Sequence, residues 1–367
     1  MTPDELRFAQ RLTMANPERL RLLARVLTHP AGRSTAEDLA WRLAPDDQRP
    51  DAMRRVRSAR AVTEVEHELR ALVAVGLVAV VGPLSKLPHR SAPLYHVSSR
   101  GIARFGSAAL AAPRHPGETT LDVRDHDALL ARLTETLTAR FAGNAGAGTV
   151  DRLVRECYAT LRKQIGPSGH LPALTAWLAT DRLAAITEVT HGSTYDVLFV
   201  CVHNTGRSQI AAAVTRRLAG DRIRVRTAGT RPVAEPDAMT EKVLARRGLD
   251  GLIEFPRELT DDIVRASGVI VTMGCGDACP VYPGRRYLDW PLDDPAGRPI
   301  EEVERIVDDI TARVRTLVAE IDAAGDRLPA ENLLSTWSPR NGLPHATEGL
   351  QTVVTAALGV EGERKAH

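Results

Sequence analysis

The chain of 367 residues is poor in three things: aromatic residues at 4%, cysteine with four copies, and lysine, which supplies four of its 48 basic side chains. With so few aromatics against 43% apolar residues, its cores are expected to be built from Leu, Val, Ile and Ala. The four cysteines, Cys157, Cys201, Cys275 and Cys279, are too few for a disulfide framework, and the first 156 residues hold none. Reduced thiols and a cytoplasmic location are the expectation. The sequence also lacks a signal peptide and any apolar run near 18 residues, which predicts neither export nor a membrane span. A net charge of +2 says little about partners.

What is present is organised around residues 195–219. Residues 197–202 are a continuous, β-branched apolar run, read as a strand buried on both faces of a parallel sheet. Residues 208–219 carry apolar side chains at helical spacing. Between them a tight loop runs through Cys201, Val202, His203, Asn204, Thr205, Gly206 and Arg207, with Ser208 directly behind. Its amides and the helix N-terminus form an anion cradle, because unpaired N–H groups and the helix dipole favour negative charge. The same field favours thiolate over thiol, so Cys201 is the expected nucleophile. Arg207 offers a two-pronged hydrogen bond to a tetrahedral oxyanion. Gly206 is expected to take φ > 0 as the loop curls, Asn204 to bond loop backbone, and Ser208 to donate to the sulfur.

Arginine is so frequent in this chain that a bare Cys-x5-Arg carries little weight. Strand, Cys-x5-Arg-Ser and helix together carry more. They resemble the phosphate loop of low-molecular-weight protein tyrosine phosphatases and of the arsenate reductases built on that fold, and the wording Val-Cys-Val-His-Asn-Thr-Gly-Arg-Ser-Gln looks closest to the reductase branch. From residue 194 strands and helices alternate: strands at 197–202, 223–227, 268–273 and 286–288, helices at 208–219, 237–247, 260–266 and 300–323. That order predicts a C-terminal α/β domain with a doubly wound parallel sheet over 194–325, with ligands beyond the carboxyl ends of its strands. Residues 326–367 form a tail with a short apolar helix at 350–358.

The fold class expected for the whole chain is multidomain. Residues 1–115 read as a helix over 3–28, a second helix starting at a Ser34–Glu37 capping box, a long helix over 51–75, two strands at 77–81 and 94–98 joined by a basic loop with Lys86, His89 and Arg90, and a helix at 99–110. This order resembles a winged helix-turn-helix of the arsenic-repressor or MarR-like kind. Residues 1–116 carry a net charge of +7 and the remainder −5, which suits phosphate contacts on DNA through Arg54, Arg55, Arg57 and Arg60. Glu64, Glu66 and Glu68 on the same helix oppose such contacts, and the alternative is a docking or homodimerisation domain. After a linker at 112–124, residues 125–190 hold three amphipathic helices, at 127–141, 150–161 and 171–186. They read as a small helical bundle, and similar bundles precede some actinobacterial reductases of the family. Cys157 lies on an apolar stripe and reads as a packed, inert thiol, and Trp177 as core.

Two further thiols decide the chemistry. After the strand ending at Met273 come Gly-Cys275-Gly-Asp-Ala-Cys279-Pro and then Trp290-Pro-Leu-Asp293-Asp294-Pro295. A phosphatase needs the nucleophile, the cradle and an acid for the leaving oxygen; it has no use for two more cysteines. The resemblance to thioredoxin-coupled reductases implies a relay. Cys201 attacks arsenate with Asp294 as proton donor, Cys275 resolves the adduct, and Cys279 passes the oxidation to an external dithiol, thioredoxin or mycoredoxin. No cofactor and no metal is implied. Cys275 and Cys279 make half a zinc site at most, and His191 and His203 would have to converge to complete it. Asp293 is the alternative acid. Two other functions stay open on the sequence: a tyrosine phosphatase whose extra thiols guard Cys201, and a DNA-binding regulator that senses an oxyanion.

Overall fold

A computed structural model of the chain describes residues 2–43, 59–81, 92–114, 117–188, 195–220, 222–235, 237–275 and 279–324. The run expected as one helix over 3–28 is two, α1 (Pro3–Met14) and α2 (Pro17–Leu27). Pro17 has no N–H to continue the first helix and biases Asn16 away from helical angles. Asn16 caps α2 instead, its side chain accepting from the Glu18 amide at 2.9 Å. Ser34 does not begin a helix either. Ser34–Thr35 form β1, antiparallel to β3 (Leu94–Val97), and the Thr35 hydroxyl accepts from the Asp38 amide at 3.2 Å as α3 (Ala36–Leu43) starts. Strand pairing takes Ser34 out of the cap position. α4 (Ala59–Ala74) and β2 (Val78–Val81) follow, giving a three-stranded antiparallel sheet of order β1-β3-β2. The expected basic loop with Lys86, His89 and Arg90 lies outside the described residues, as do Arg54, Arg55 and Arg57.

The next helix, α5, is α-helical at Ser99–Gly101, π-helical over Ile102–Gly106 and α-helical again at Ser107–Ala111. A Cβ at Gly106 would lie 2.5 Å from that of Ala173, so the glycine lets α5 seat against the bundle. The bundle helices are α6 (His126–Arg140), α7 (Ala147–Ile165) and α8 (Leu171–Glu188). Leu23, Leu39, Leu69 and Leu72 from the N-terminal elements share one apolar core with Leu133, Leu137 and Leu174 of the bundle. Each such buried side chain stabilises by about 1.5–3 kcal/mol, so the two segments hold each other. Cys157 is part of this core; burial pushes its thiol up to about 12 against the nearby Arg182, and it is a neutral packing group.

The remaining described elements are β4 (Asp196–Cys201), α9 (Arg207–Ala219), β5 (Arg224–Gly229), α10 (Ala238–Arg246), α11 (Asp261–Ala266), β6 (Val269–Thr272), β7 (Arg286–Asp289) and α12 (Ile300–Ala324). The four strands are parallel in the order β5-β4-β6-β7. Every residue of β4 is buried, as a strand covered on both faces requires. Val197, Phe199 and Cys201 face a core with Ile210, Val243 and Ile310; Leu198 and Val200 face the other way, toward Ile263 of α11 and Ala185 of α8. The last bundle helix therefore covers part of the sheet. The small antiparallel sheet also docks here: Val81 joins the larger core, and Arg33 donates to the carbonyls of Gly220 at 2.9 Å and Ile223 at 3.2 Å. Among the described residues no helix is long and apolar enough to cross a membrane. The tail at 326–367, with its expected helix, lies outside them.

Candidate active site

β4 delivers Cys201 to the carboxyl edge of the sheet, and the chain turns through five residues into α9. Cys201 is 2% exposed, and its sulfur meets two donors: the Asn204 amide at 3.2 Å and the Ser208 hydroxyl at 3.0 Å. The direction of the second bond follows from its neighbours. Nδ2 of Asn204 donates to Ser208 Oγ at 2.8 Å, so that oxygen is already an acceptor and its hydrogen is free to point at sulfur. Both bonds are donated to the sulfur. The left-handed backbone position that the sequence assigned to Gly206 belongs to Asn204, with φ of 57°, whereas Gly206 has φ of −115°. Gly206 is required for closeness instead. A Cβ there would stand 2.5 Å from Cγ of Pro295, so the Asp294-Pro295 segment rests on the loop.

Arg207, the first residue of α9, is 7% exposed and points its guanidinium at Asp294, Nη2 to Oδ2 2.8 Å, and at the Leu292 carbonyl, 3.3 Å. Asp293, the alternative acid, lines a neighbouring groove with Asp289, Glu302, Arg305 and Asp309. Cys275 follows β6, the strand beside β4. The Met273 amide donates to Val200 O at 2.8 Å, so both thiols leave the sheet at the same edge. Between them Gly274, at φ +74°, lies against Arg207; a Cβ there would sit 2.7 Å from Nη1. Cys275 is 8% exposed, and Cys279 is partly exposed on the segment that Tyr287 pins by donating to Pro280 O at 2.9 Å. All four cysteines are free thiols. Burial raises the Cys275 thiol; two backbone hydrogen bonds oppose this and the charge of Cys201 adds to it. Burial, then the charge of Cys275, pushes Cys279 up to about 11.

His203 is exposed, and His191 lies outside the described residues. Among the described residues no three His, Cys, Asp or Glu side chains converge as a metal site. The sequence reading missed the groups that hold Asn204. Oδ1 accepts from the Arg257 amide at 3.0 Å and from Thr227 Oγ1 at 3.4 Å, while Gln209 Nε2 donates to Asn204 O at 3.0 Å. Gln209 directly follows the Arg-Ser pair and was within reach of inspection. Thr227 and Arg257 carry no local signal, because only the fold brings them to the loop.

Two family models match the chain: a protein-tyrosine-phosphatase-like N-terminal domain over residues 130–187 and the low molecular weight phosphotyrosine protein phosphatase over 196–327. A putative arsenate reductase of Halobacterium salinarum is 35% identical over 129 residues, covering 34% of this chain and 91% of that protein. Arsenate reductase 1 of Staphylococcus epidermidis is 32% identical over 130 residues, covering 34% of this chain and 96% of that one. Among solved structures, the thioredoxin-dependent arsenate reductase of Corynebacterium glutamicum is 38% identical with a TM-score of 0.50, and covers 54% of this chain and 99% of its own. The last overlap is larger than the sheet domain alone supplies. A buried cysteine cradled at the end of a parallel strand and these matches lead to one assignment: the chain belongs to the low-molecular-weight phosphotyrosine protein phosphatase family, in the group that contains the arsenate reductases.

Proposed function

We propose that the chain reduces arsenate to arsenite through a three-thiol relay regenerated by an external dithiol. The observation that carries the reading is the Cys275 loop. Gly274 lies against the oxyanion-binding Arg207, Cys275 follows it as a second, buried thiol at the edge where Cys201 stands, and Cys279 packs in the same cluster as Cys275 as a third, more exposed thiol. In the first step the Cys201 thiolate forms a sulfur–arsenic bond while an arsenic–oxygen bond breaks. Asp294 supplies the proton with which that oxygen leaves as water, and Arg207 and the loop amides hold the remaining oxygens. The thiolate of Cys275 then attacks the Cys201 sulfur. The sulfur–arsenic bond breaks with its electron pair on arsenic, which departs as arsenite, and two sulfurs have become a disulfide. Cys279 attacks Cys275, freeing Cys201 as thiolate, and an external dithiol reduces the Cys275–Cys279 bond at its own oxidation. The Corynebacterium relative, thioredoxin-dependent by name, favours thioredoxin as that dithiol, with mycoredoxin as the alternative.

The test is a coupled assay in which purified protein and arsenate drive NADPH consumption through thioredoxin and its reductase, with mycoredoxin in a parallel arm. Arsenite should appear in step with NADPH loss. If neither dithiol supports arsenate-dependent consumption, the relay is wrong.

The thiol environments set a pH dependence. Cys275 and Cys279 are both raised, so both are neutral near pH 7 and each must lose a proton before it attacks. The thiolate fraction grows with pH below the pKa, so single-turnover arsenite release is expected to rise about tenfold per pH unit between about pH 6.5 and 8.5. Rapid-quench measurement at saturating arsenate checks this. A flat profile would take the Cys275 thiolate off the path.

A second reading concerns the N-terminal region. We read the described elements α2, β1, α3, α4, β2 and β3, with the sheet order β1-β3-β2, as a winged helix-turn-helix. We read its role as docking. The exposed side of α4 carries Thr63, Glu64, His67 and Arg70, and Glu66 and Glu68 pair with Arg70 and Arg19, so the described surface of this helix offers phosphate little cationic charge. The sheet is instead laid against the enzyme domain through Val81 and Arg33.

A further inference from the structure

The last helix of the bundle reaches the catalytic loop through a buried arginine. Asp181 on α8 accepts from Nη1 of Arg257 at 2.6 Å and from Nε of Arg226 at 3.3 Å. Arg226 and Arg257 are both almost wholly buried, and Arg226 also pairs with Asp196 at the start of β4. Trp177, one turn before Asp181, lies under the Arg257 guanidinium, 5.1 Å from Cζ to the ring centroid. Nε of Arg257 donates to Thr227 O at 2.6 Å. Carboxylate, ring and carbonyl thus hold one side chain at three points, and the backbone amide of that residue donates to Asn204.

This amide decides which way Asn204 faces. A side-chain carboxamide has an accepting and a donating end, and an N–H can only donate, so the Arg257 amide takes Oδ1 and leaves Nδ2 for Ser208. Were residue 257 to shift, Asn204 would lose the bond that orients it, and Ser208 the neighbour that turns its hydrogen to sulfur. Burial alone would raise the Asp181 carboxyl; the charges of Arg257 and Arg226 override it and hold it well below the usual carboxylate range, so the clamp is an ion pair at working pH.

We propose that Asp181 and Trp177 of the helical bundle are positioning residues for the Cys201 thiolate, acting on it through Arg257, Asn204 and Ser208. The inference rests on the reading of Cys201 as nucleophile but not on arsenate being its substrate. It gives the bundle a task in the chemistry: the helix that covers one face of the sheet also fixes the hydrogen bonds around the reacting sulfur.

The test reads that sulfur directly. In the full-length protein, the rate of Cys201 alkylation by iodoacetamide is followed by peptide mass mapping across the pH range, beside steady-state arsenate kinetics. Asp181→Asn is expected to move the alkylation midpoint up by about one pH unit and to lower kcat about tenfold with KM little changed. Asp181→Glu should restore part of both. Asp151→Asn, at an exposed ion pair on α7, should change neither. In a double-mutant cycle, Asp181→Asn should add nothing to Asn204→Ala, because both break one chain. Should Asp181→Asn fail to fold, Trp177→Leu leaves the ion pair in place and should move the midpoint in the same direction by less. A wild-type midpoint in the folded variants, or additive effects in the cycle, overturns the proposal. A shifted midpoint with no arsenate turnover in any protein would retain the clamp and remove the reductase reading.

Discussion

Cys275→Ser abolishes multiple turnover of arsenate, a loss of at least about a thousandfold, while hydrolysis of p-nitrophenyl phosphate stays within about twofold of the unaltered protein. The two results follow from one geometry. Serine keeps the buried volume at the end of β6, so Gly274 still lies on Arg207 and the oxyanion cradle is unchanged. Ester hydrolysis needs Cys201, the cradle and Asp294, and all three remain. Arsenate reduction needs more, because the sulfur–arsenic bond must surrender its electron pair to arsenic, and only a second sulfur can accept the resulting oxidation as a disulfide. The variant should form the Cys201 adduct and stop, with no arsenite released. Measuring arsenite by chromatography beside phosphatase activity on the same preparation separates the outcomes. A variant that keeps multiple turnover of arsenate would take Cys275 out of the relay.

Asp294→Asn is expected to tighten phosphate and arsenate binding several-fold and to slow turnover about a hundredfold, a split between KM and kcat that a simple loss of structure does not produce. Asp294 lies 2.8 Å from Arg207, the side chain that the oxyanion needs. Carboxylate and oxyanion compete for one guanidinium, and the amide of asparagine is the weaker competitor because it carries no charge. The same change removes the proton donor for the departing oxygen, so chemistry slows while binding improves. Asp293→Asn, in the adjacent groove, should alter neither quantity appreciably. Isothermal titration with phosphate and presteady-state kinetics with arsenate give the two numbers. If Asp293→Asn carried the kinetic loss instead, the acid would be the neighbour.

Electrostatics, more than shape, gives the site its order. Cys201 receives two hydrogen bonds at the end of a buried strand, while burial, and then the charge of Cys201, raises Cys275, and burial, then the charge of Cys275, raises Cys279. In the proposed relay the two later sulfurs wait as neutral thiols until their turn. Of the three thiols Cys279 is the most exposed.

The sequence by itself determined the parts of this protein that local physics controls. A β-branched run, a short loop ending in Arg-Ser and an alanine-rich helix specified the strand, turn and helix that hold Cys201, and the strand–helix alternation after residue 194 specified the parallel sheet. Amphipathic periodicity marked the three bundle helices to within a few residues, except at the start and end of α7. Tertiary structure decided what periodicity cannot encode. Proline 17 split one periodic run into two helices, and pairing with β3 turned an apparent cap at Ser34 into a strand, because hydrogen bonds to a distant segment outweighed a local propensity. Asn204, not Gly206, took the left-handed position, since its side chain gains bonds from Arg257 and Thr227 that a glycine cannot make. The choice of Asp294 over Asp293 as Arg207's partner, and the reach of Asp181 from a helix of the preceding bundle to the catalytic loop, depend on contacts between residues tens of positions apart. Such contacts leave no spacing pattern behind, because burial and charge pairing act through space and not along the chain.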